Sequence, residues 1–255
     1  MNMMDHHGTT ALITGASSGL GAALAHRLAE RGANLILVAR GKEALTEIAE
    51  TLRRPERVNV AVYEQDLGRA GSGTELAARI TADGLTVDTL INCAGIGTHG
   101  NFATQAPDAL AAEVQIDVAS VVELTRALLP QMLRSGRGAL VNVASTSAYQ
   151  PTPAMAVYGA SKAFVLSFTE ALAYETRRSK LKVLAVSPGP MRTPFFDKLG
   201  TTRPGVGQWQ NPEQVADFTL RTLDRRRPPP SVFPDRSTPC PSSPPVSPPV
   251  VLSLP

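Results

Sequence analysis

The sequence predicts an α/β fold, a single doubly wound parallel sheet with helices on both faces. Three observations predict it. Short apolar runs recur between residues 9 and 227 without polar alternation, as strands buried on both faces do. Segments of helical length, with apolar residues on one side, separate them. The alternation holds throughout that span, and a strand–helix–strand repeat closes as a parallel sheet.

Composition bounds the rest. A chain of 255 residues suits one large domain better than two, and 43% hydrophobic residues can bury a sizeable core. Aromatics at 5% argue against a stacking surface for single-stranded nucleic acid. The net charge is only +3, and Arg225-Arg226-Arg227 carries much of it, so no nucleic-acid partner is expected. Two cysteines, Cys93 and Cys240, make neither a disulfide framework nor a zinc site. Cys93 reads as a packed small residue rather than a nucleophile. His6 and His7 are adjacent in what reads as a floppy start, and no metal is expected. Met1 to Gly8 lacks an apolar signal core, and no run reaches the roughly eighteen residues that span a bilayer. No membrane association is expected, and the reducing cytoplasm is the default compartment.

The first strand is Ala11-Leu12-Ile13. Leu20, Leu24 and Leu28 then fall on one helical face, with Gly32 as the C-cap. Leu35 to Val38 form the second strand, 42–53 a helix, Val58 to Val62 the third strand, and 74–82 a helix. Thr89-Leu90-Ile91 is followed by a long helix over 108–134, then the strand Ala139 to Val143 and a helix over 155–178. Val183 to Val186 and a helix over 212–224 complete the series. Asn211-Pro212 supplies an N-cap and a first-turn proline. Composition changes at residue 228: the last 28 residues hold 11 of the 21 prolines. The chain therefore divides into a folded domain, 1–227, and an extended, proline-rich tail, 228–255. Pro241 to Pro244 and Pro245 to Pro248 have PxxP spacing, a frequent coincidence in such a stretch.

Thr14-Gly15-Ala16-Ser17-Ser18-Gly19-Leu20-Gly21 lies between the first strand and the first helix. Glycines there let backbone approach a phosphate, and the helix N-terminus offers free N–H groups to a pyrophosphate. This points to dinucleotide binding on a Rossmann-type sheet. The second strand ends at Ala39-Arg40-Gly41-Lys42, without the carboxylate that binds a ribose 2′-hydroxyl. Arg40, helped by Ser17, suits a 2′-phosphate instead. NADP(H) is therefore preferred, and NAD(H) stays open.

Tyr158 and Lys162 are four residues apart, on one face of a helix. Moving a phenol from its ordinary pKa of about 10 to about 7 takes about 4 kcal/mol, which a neighbouring ammonium and a cationic nicotinamide can supply. Ser145, at a strand end, is placed to polarise a carbonyl or, alternatively, to cap a helix.

Together these residues resemble the short-chain dehydrogenase/reductase family of the classical type, over residues 9 to about 227. The family's glycine motif falls on Thr14, Gly15, Gly19 and Gly21. Its Asn-Asn-Ala-Gly segment falls on Asn92-Cys93-Ala94-Gly95, with Cys93 in place of the second Asn. Its adenine-side Asp falls on Asp66, followed by Leu67, and its nicotinamide-side residues on Pro188, Gly189 and Thr193. The resemblance implies an oxidoreductase that interconverts a carbonyl and an alcohol. Tyr158 protonates the carbonyl oxygen, Lys162 holds the nicotinamide ribose and lowers the phenol's pKa, and Ser145 orients the carbonyl. It also implies a homodimer or homotetramer paired through helices 108–134 and 155–178.

Two departures stand out. The family's fourth catalytic residue, an Asn, falls on Asp117, which adds a negative charge beside Lys162. The usual last strand can only be Ser231-Val232-Phe233, among prolines, as a replaced or out-of-frame end would leave it. By resemblance the substrate pocket takes Ile96, Tyr149, Met155, Phe195, Phe196 and Trp209, which suits an apolar ketone, aldehyde or alcohol. Arg192 to Gln210, with Gly200, Gly205 and Gly207, reads as a lid. The competing reading is a catalytically impaired NADPH-binding sensor or interaction module, favoured by Asp117 and the tail.

Overall fold

The computed structural model describes residues 4–56, 58–199 and 208–234. Among them, seven strands form one parallel sheet: β1 (Thr10–Thr14), β2 (Asn34–Ala39), β3 (Val60–Glu64), β4 (Thr89–Asn92), β5 (Ala139–Val143), β6 (Lys182–Val186) and β7 (Ser231–Val232). Their order is β3-β2-β1-β4-β5-β6-β7. The chain winds outward from β1, returns to place β4 beside it, and winds outward the other way. The reversal between β1 and β4 opens a crevice at the strands' C-terminal ends, where α/β sheets bind ligands. The fold is the expected Rossmann-type α/β sheet.

The helices are α1 (Gly19–Glu30), α2 (Lys42–Glu56), α3 (Ser72–Ala82), α4 (Pro107–Val114), α5 (Ser120–Ser135), α6 (Ala156–Glu175), α7 (Pro194–Leu199) and α8 (Pro212–Leu223). Successive side chains of each strand face opposite sides. Ile13, Leu35 and Leu37 pack with Leu24, Leu28, Leu45 and Leu220 from α1, α2 and α8. Leu12, Ile36 and Val38 pack with Leu76, Ile80, Leu124 and Leu128 from α3 and α5. Burial on both faces is why the strands read as unbroken apolar runs. Leu20, Leu24 and Leu28 are all buried, as their spacing requires. Asn211 accepts the Glu213 N–H at 2.8 Å and starts α8 with Pro212 in its first turn.

Three expectations need correction. The helix over 108–134 is not uniform: between α4 and α5, Gln115–Ala119 winds as a π-helix. One extra residue in that turn re-aims its side chains, and a polar–apolar pattern does not register it. The sheet extends beyond residue 227. The Ala185 N–H bonds the Pro230 carbonyl at 2.8 Å and the Ser187 N–H bonds Val232 at 2.9 Å, so β7 forms a short edge strand after the three prolines. The start of the described chain is anchored, because the Met4 N–H donates to Asp224 at 2.9 Å and His6 is buried. Gly200, Gly205, Gly207 and both PxxP stretches lie outside the described residues. No helix among the described residues is long and apolar enough to cross a membrane.

Candidate active site

The crevice is a cavity of about 500 Å³ running from the glycine turn to α6 and α7. Its floor is backbone. Gly15 has φ +68°, and a Cβ there would stand 2.9 Å from the Ala94 Cα. A Cβ on Gly21 would overlap the Gly15 carbonyl. Larger residues at either position would push the turn off the β4 end. The Ser18 side chain makes no cap bond to α1, which leaves helix N–H groups for an anion. Ser17, Ser18, Gly19 and Leu20 line this end with Arg40, Asp66 and Leu67. Arg40 is exposed at the end of β2, and the Asp66 carboxylate is turned onto the Gly68 N–H at 2.9 Å. Ala94, Gly95, Pro188, Gly189 and Thr193 line the other end.

Two expected cofactor residues are placed differently. The Thr14 hydroxyl is buried and accepts the Cys93 and Ala94 N–H groups, both at 3.0 Å, so it latches β1 to the segment after β4. Asn92 points into the interior. Its amide donates to Asn142 at 2.8 Å and to Thr125 at 3.2 Å, and Asn142 donates to Thr169 at 2.9 Å. This buried polar chain joins β4, β5, α5 and α6 beneath the site.

At the α6 end of the crevice the fold brings four residues together. Ser145 follows β5, accepts the Ser147 N–H at 3.1 Å as the cap of a short turn, and lines the cavity together with Tyr158. Of its two readings the structure shows the cap, and the serine lines the crevice beside Tyr158. Tyr158 and Lys162 share the inner face of α6, with the Lys162 Nζ 5.5 Å from the phenol ring centre. The π-turn aims Asp117 inward, where Oδ2 stands 3.0 Å from the Lys162 Nζ and Oδ1 accepts the Ile96 N–H at 2.9 Å. Lys162 also donates to the Val143 carbonyl at 3.3 Å.

The electrostatics depart from expectation. Burial pushes the Tyr158 phenol above its ordinary pKa. Lys162 and then Ser145 pull it down, while Asp117 pushes it further up, and the net direction is upward. Without a cationic cofactor, Lys162 alone does not poise the phenol near neutrality, because burial, reinforced by the Asp117 carboxylate, outweighs its field. Burial also pushes Lys162 down, yet Asp117 and Tyr158 outweigh it and keep the ammonium charged. Burial raises the Asp117 carboxyl against the pull of Lys162 and the Ile96 N–H. The arrangement holds a proton on the phenol beside a fixed cation, as proton donation to a developing alkoxide requires.

The family model for short chain dehydrogenase matches residues 9–204. The chain belongs to this family. Sulfoacetaldehyde reductase 2 of Chromohalobacter salexigens is 38% identical over 192 residues, 72% of this chain and 73% of the reductase. A short-chain dehydrogenase from Sphingobium yanoikuyae, solved in complex with NADPH, superposes with a TM-score of 0.82 at 33% identity, covering 90% of this chain and 89% of that one. The bulky-bulky ketone specific alcohol dehydrogenase of Comamonas testosteroni gives 0.77 at 32% identity, covering 90% and 87%.

This short-chain dehydrogenase is an oxidoreductase acting on CH–OH donors. Near Tyr158 the cavity wall is apolar: Ile96, Met155, Phe195 and Phe196 line it, and the Phe195 ring lies 5.5 Å from that of Tyr158. Tyr149 and Trp209 stand behind this wall, Trp209 against Phe196 at 4.8 Å and Tyr149 against Phe233 at 4.4 Å. Gln210 closes the base of the segment read as a lid, accepting the Gly189 N–H at 3.1 Å through its side chain and bonding Pro190 at 2.8 Å through its backbone. Sequence reasoning missed Glu113, wholly buried one helical turn before Asp117. Their four-residue spacing put both carboxylates on one helix face, and that was the available signal.

Proposed function

We propose that this dehydrogenase interconverts an apolar ketone or aldehyde and its alcohol with NADP(H), using Tyr158 as the acid/base. The observation that carries the reading is the convergence of Ser145, Tyr158 and Lys162 at one end of a crevice whose other end is an uncapped helix N-terminus and a glycine floor. The residues present fit the cofactor. Ser17, Ser18, Gly19 and the N-terminus of α1 receive the pyrophosphate, Arg40 the 2′-phosphate, and Lys162 the nicotinamide ribose. When bound, the reduced nicotinamide would supply the hydride, and in the oxidised cofactor the positive ring would add its field to that of Lys162. Ser145 then orients the carbonyl oxygen, and the Tyr158 Oη delivers a proton to it. Asp66 and Leu67 border the adenine, and Pro188, Gly189 and Thr193 the nicotinamide. Solved relatives include a complex with NADPH and an enzyme specific for bulky-bulky ketones, which supports NADP(H) and a carbonyl substrate, while the Ile96, Met155, Phe195 and Phe196 lining supports an apolar one. Two copies pairing through the outer faces of α4–α5 and α6, where Val114 and Phe164 are exposed, complete the proposal.

Arg40 tests the cofactor choice. Arg40→Ala should raise KM for NADPH by about tenfold, the loss of one charge-assisted contact, and leave KM for NADH near its starting value. Equal effects on both would remove the 2′-phosphate role. The second reading, an NADPH-binding protein with impaired turnover, draws on the charge of Asp117 against Lys162. It predicts NADPH binding without consumption across a panel of carbonyls, unchanged in Asp117→Asn.

A further inference from the structure

Behind the catalytic lysine lies a second carboxylate that the reaction as described does not use. Glu113 is 0% exposed, at the end of α4. Its Oε2 accepts the Thr98 hydroxyl at 2.6 Å, and its Oε1 has no hydrogen-bond partner. The loop after β4 is thus pinned twice to this helix face, by Ile96 to Asp117 and by Thr98 to Glu113.

The charge count is decisive. Two buried carboxylates share one cation, Lys162. Asp117 has the ammonium at 3.0 Å and an amide N–H at 2.9 Å, so it takes the ion pair. Glu113 has one neutral hydroxyl. Among the described residues nothing neutralises a second buried anion beside Asp117, and such a group takes up a proton instead. Among the described residues the other titratable groups facing the cluster bring no positive charge: Tyr158 holds its proton, and burial pushes the Cys93 thiol up to about 12. His99 is exposed. Burial, the largest influence on Glu113, pushes its carboxyl up, and Asp117 pushes in the same direction against Thr98 and Lys162.

We propose that Glu113 is a neutral acid at neutral pH, its proton on Oε1, and that it is the buried store through which the Lys162–Asp117 pair exchanges protons with the Thr98 side of the site. Glu113 touches neither cofactor nor substrate and acts through Asp117 and Lys162. Its role in turnover rests on the carbonyl–alcohol reading, whereas its protonation does not. Each carbonyl reduced takes up one hydride, from the reduced nicotinamide, and one proton, from the Tyr158 Oη. The proton that restores the phenol is drawn from the Lys162–Asp117 pair. The Glu113 O–H, which meets no protein acceptor directly, breaks to refill that pair through one intervening water, and re-forms with a proton from water by way of the Thr98 hydroxyl. One proton enters from solvent per turnover, and no charge accumulates.

Infrared spectroscopy of the full chain without cofactor or substrate tests the protonation. At pH 7 the wild type should show the carbonyl stretch of a protonated carboxyl, which Glu113→Gln removes. The amide oxygen of Gln can still accept the Thr98 hydroxyl, so the contact is kept. Thr98→Val should shift the same band, a check that does not depend on the folding of Glu113→Gln. No band in the wild type, a band that survives Glu113→Gln, or one indifferent to Thr98→Val overturns the proposal. With a ketone that the wild type reduces, Glu113→Gln should lower kcat by about tenfold, less than the loss of an acid that touches substrate, with KM unchanged and one ionisation gone from the pH profile. An unaltered kcat and profile overturns the relay. Absence of turnover in the wild type would instead refute the carbonyl reading and leave the infrared result to stand by itself.

Discussion

Lys162 answers to two partners with opposite demands. The phenol of Tyr158 needs the ammonium's field, and the carboxylate of Asp117 takes much of it at 3.0 Å. The phenol's net upward push is the sum of that contest and of burial. Asp117→Asn leaves the Ile96 contact intact through the amide oxygen and removes the competing charge. The phenol's pKa should fall, so the Tyr158 ionisation in the kcat profile for alcohol oxidation, which needs the phenolate, should move to lower pH. Oxidation at neutral pH should rise severalfold. A profile that stays in place would show that the Asp117 charge does not reach the phenol.

At the scale of elements, the site depends on strand ends held in register by buried polar bonds. Asn142 on β5 accepts from Asn92 on β4 and donates to Thr169 on α6. Asn142→Ala strands both partners in a dry interior, which should cost about 2–4 kcal/mol in urea unfolding. A loss below about 1 kcal/mol would mean that the chain is not cooperative. The strands and α1 were legible because burial on both faces leaves an unbroken apolar run, and burial on one helix face leaves a repeat at Leu20, Leu24 and Leu28. The glycine turn was legible because its shape needs particular residues. The π-turn at Gln115–Ala119 was not legible, since one added residue within a helix leaves the composition unchanged. Glu113 was hidden for a related reason: a carboxylate on a helix reads as a solvated face until the packing of α4 against α6 shows otherwise. Asn92 and Thr14 carry the family's cofactor pattern in the sequence, whereas their side chains bond within the frame beneath the crevice.

Across the whole molecule, the end of the sheet opposite the crevice is tied by a charged cluster. Arg31 makes two bonds to Asp224, at 2.9 and 3.1 Å, Met4 adds a third, and Lys182 donates to the Leu223 carbonyl. His6 is buried beside this cluster, and burial, reinforced by Arg31, lowers its pKa from 6.5 to about 4. In the unfolded chain His6 binds its proton below pH 6.5, and in the folded chain only near pH 4. Stability is therefore full above 6.5 and falls between those values, by about 2 kcal/mol from pH 7 to pH 5. Urea midpoints for the wild type and His6→Gln at both pH values should differ by that amount in their pH dependence. Parallel behaviour would place His6 in water.

The most direct measurement compares NADPH oxidation by the wild type and by Tyr158→Phe with an apolar ketone, alongside NADPH binding by each. The phenol's proton should be worth about a hundredfold to ten-thousandfold in kcat, with cofactor affinity retained. A Tyr158→Phe protein that reduces the ketone at the wild-type rate would contradict the account.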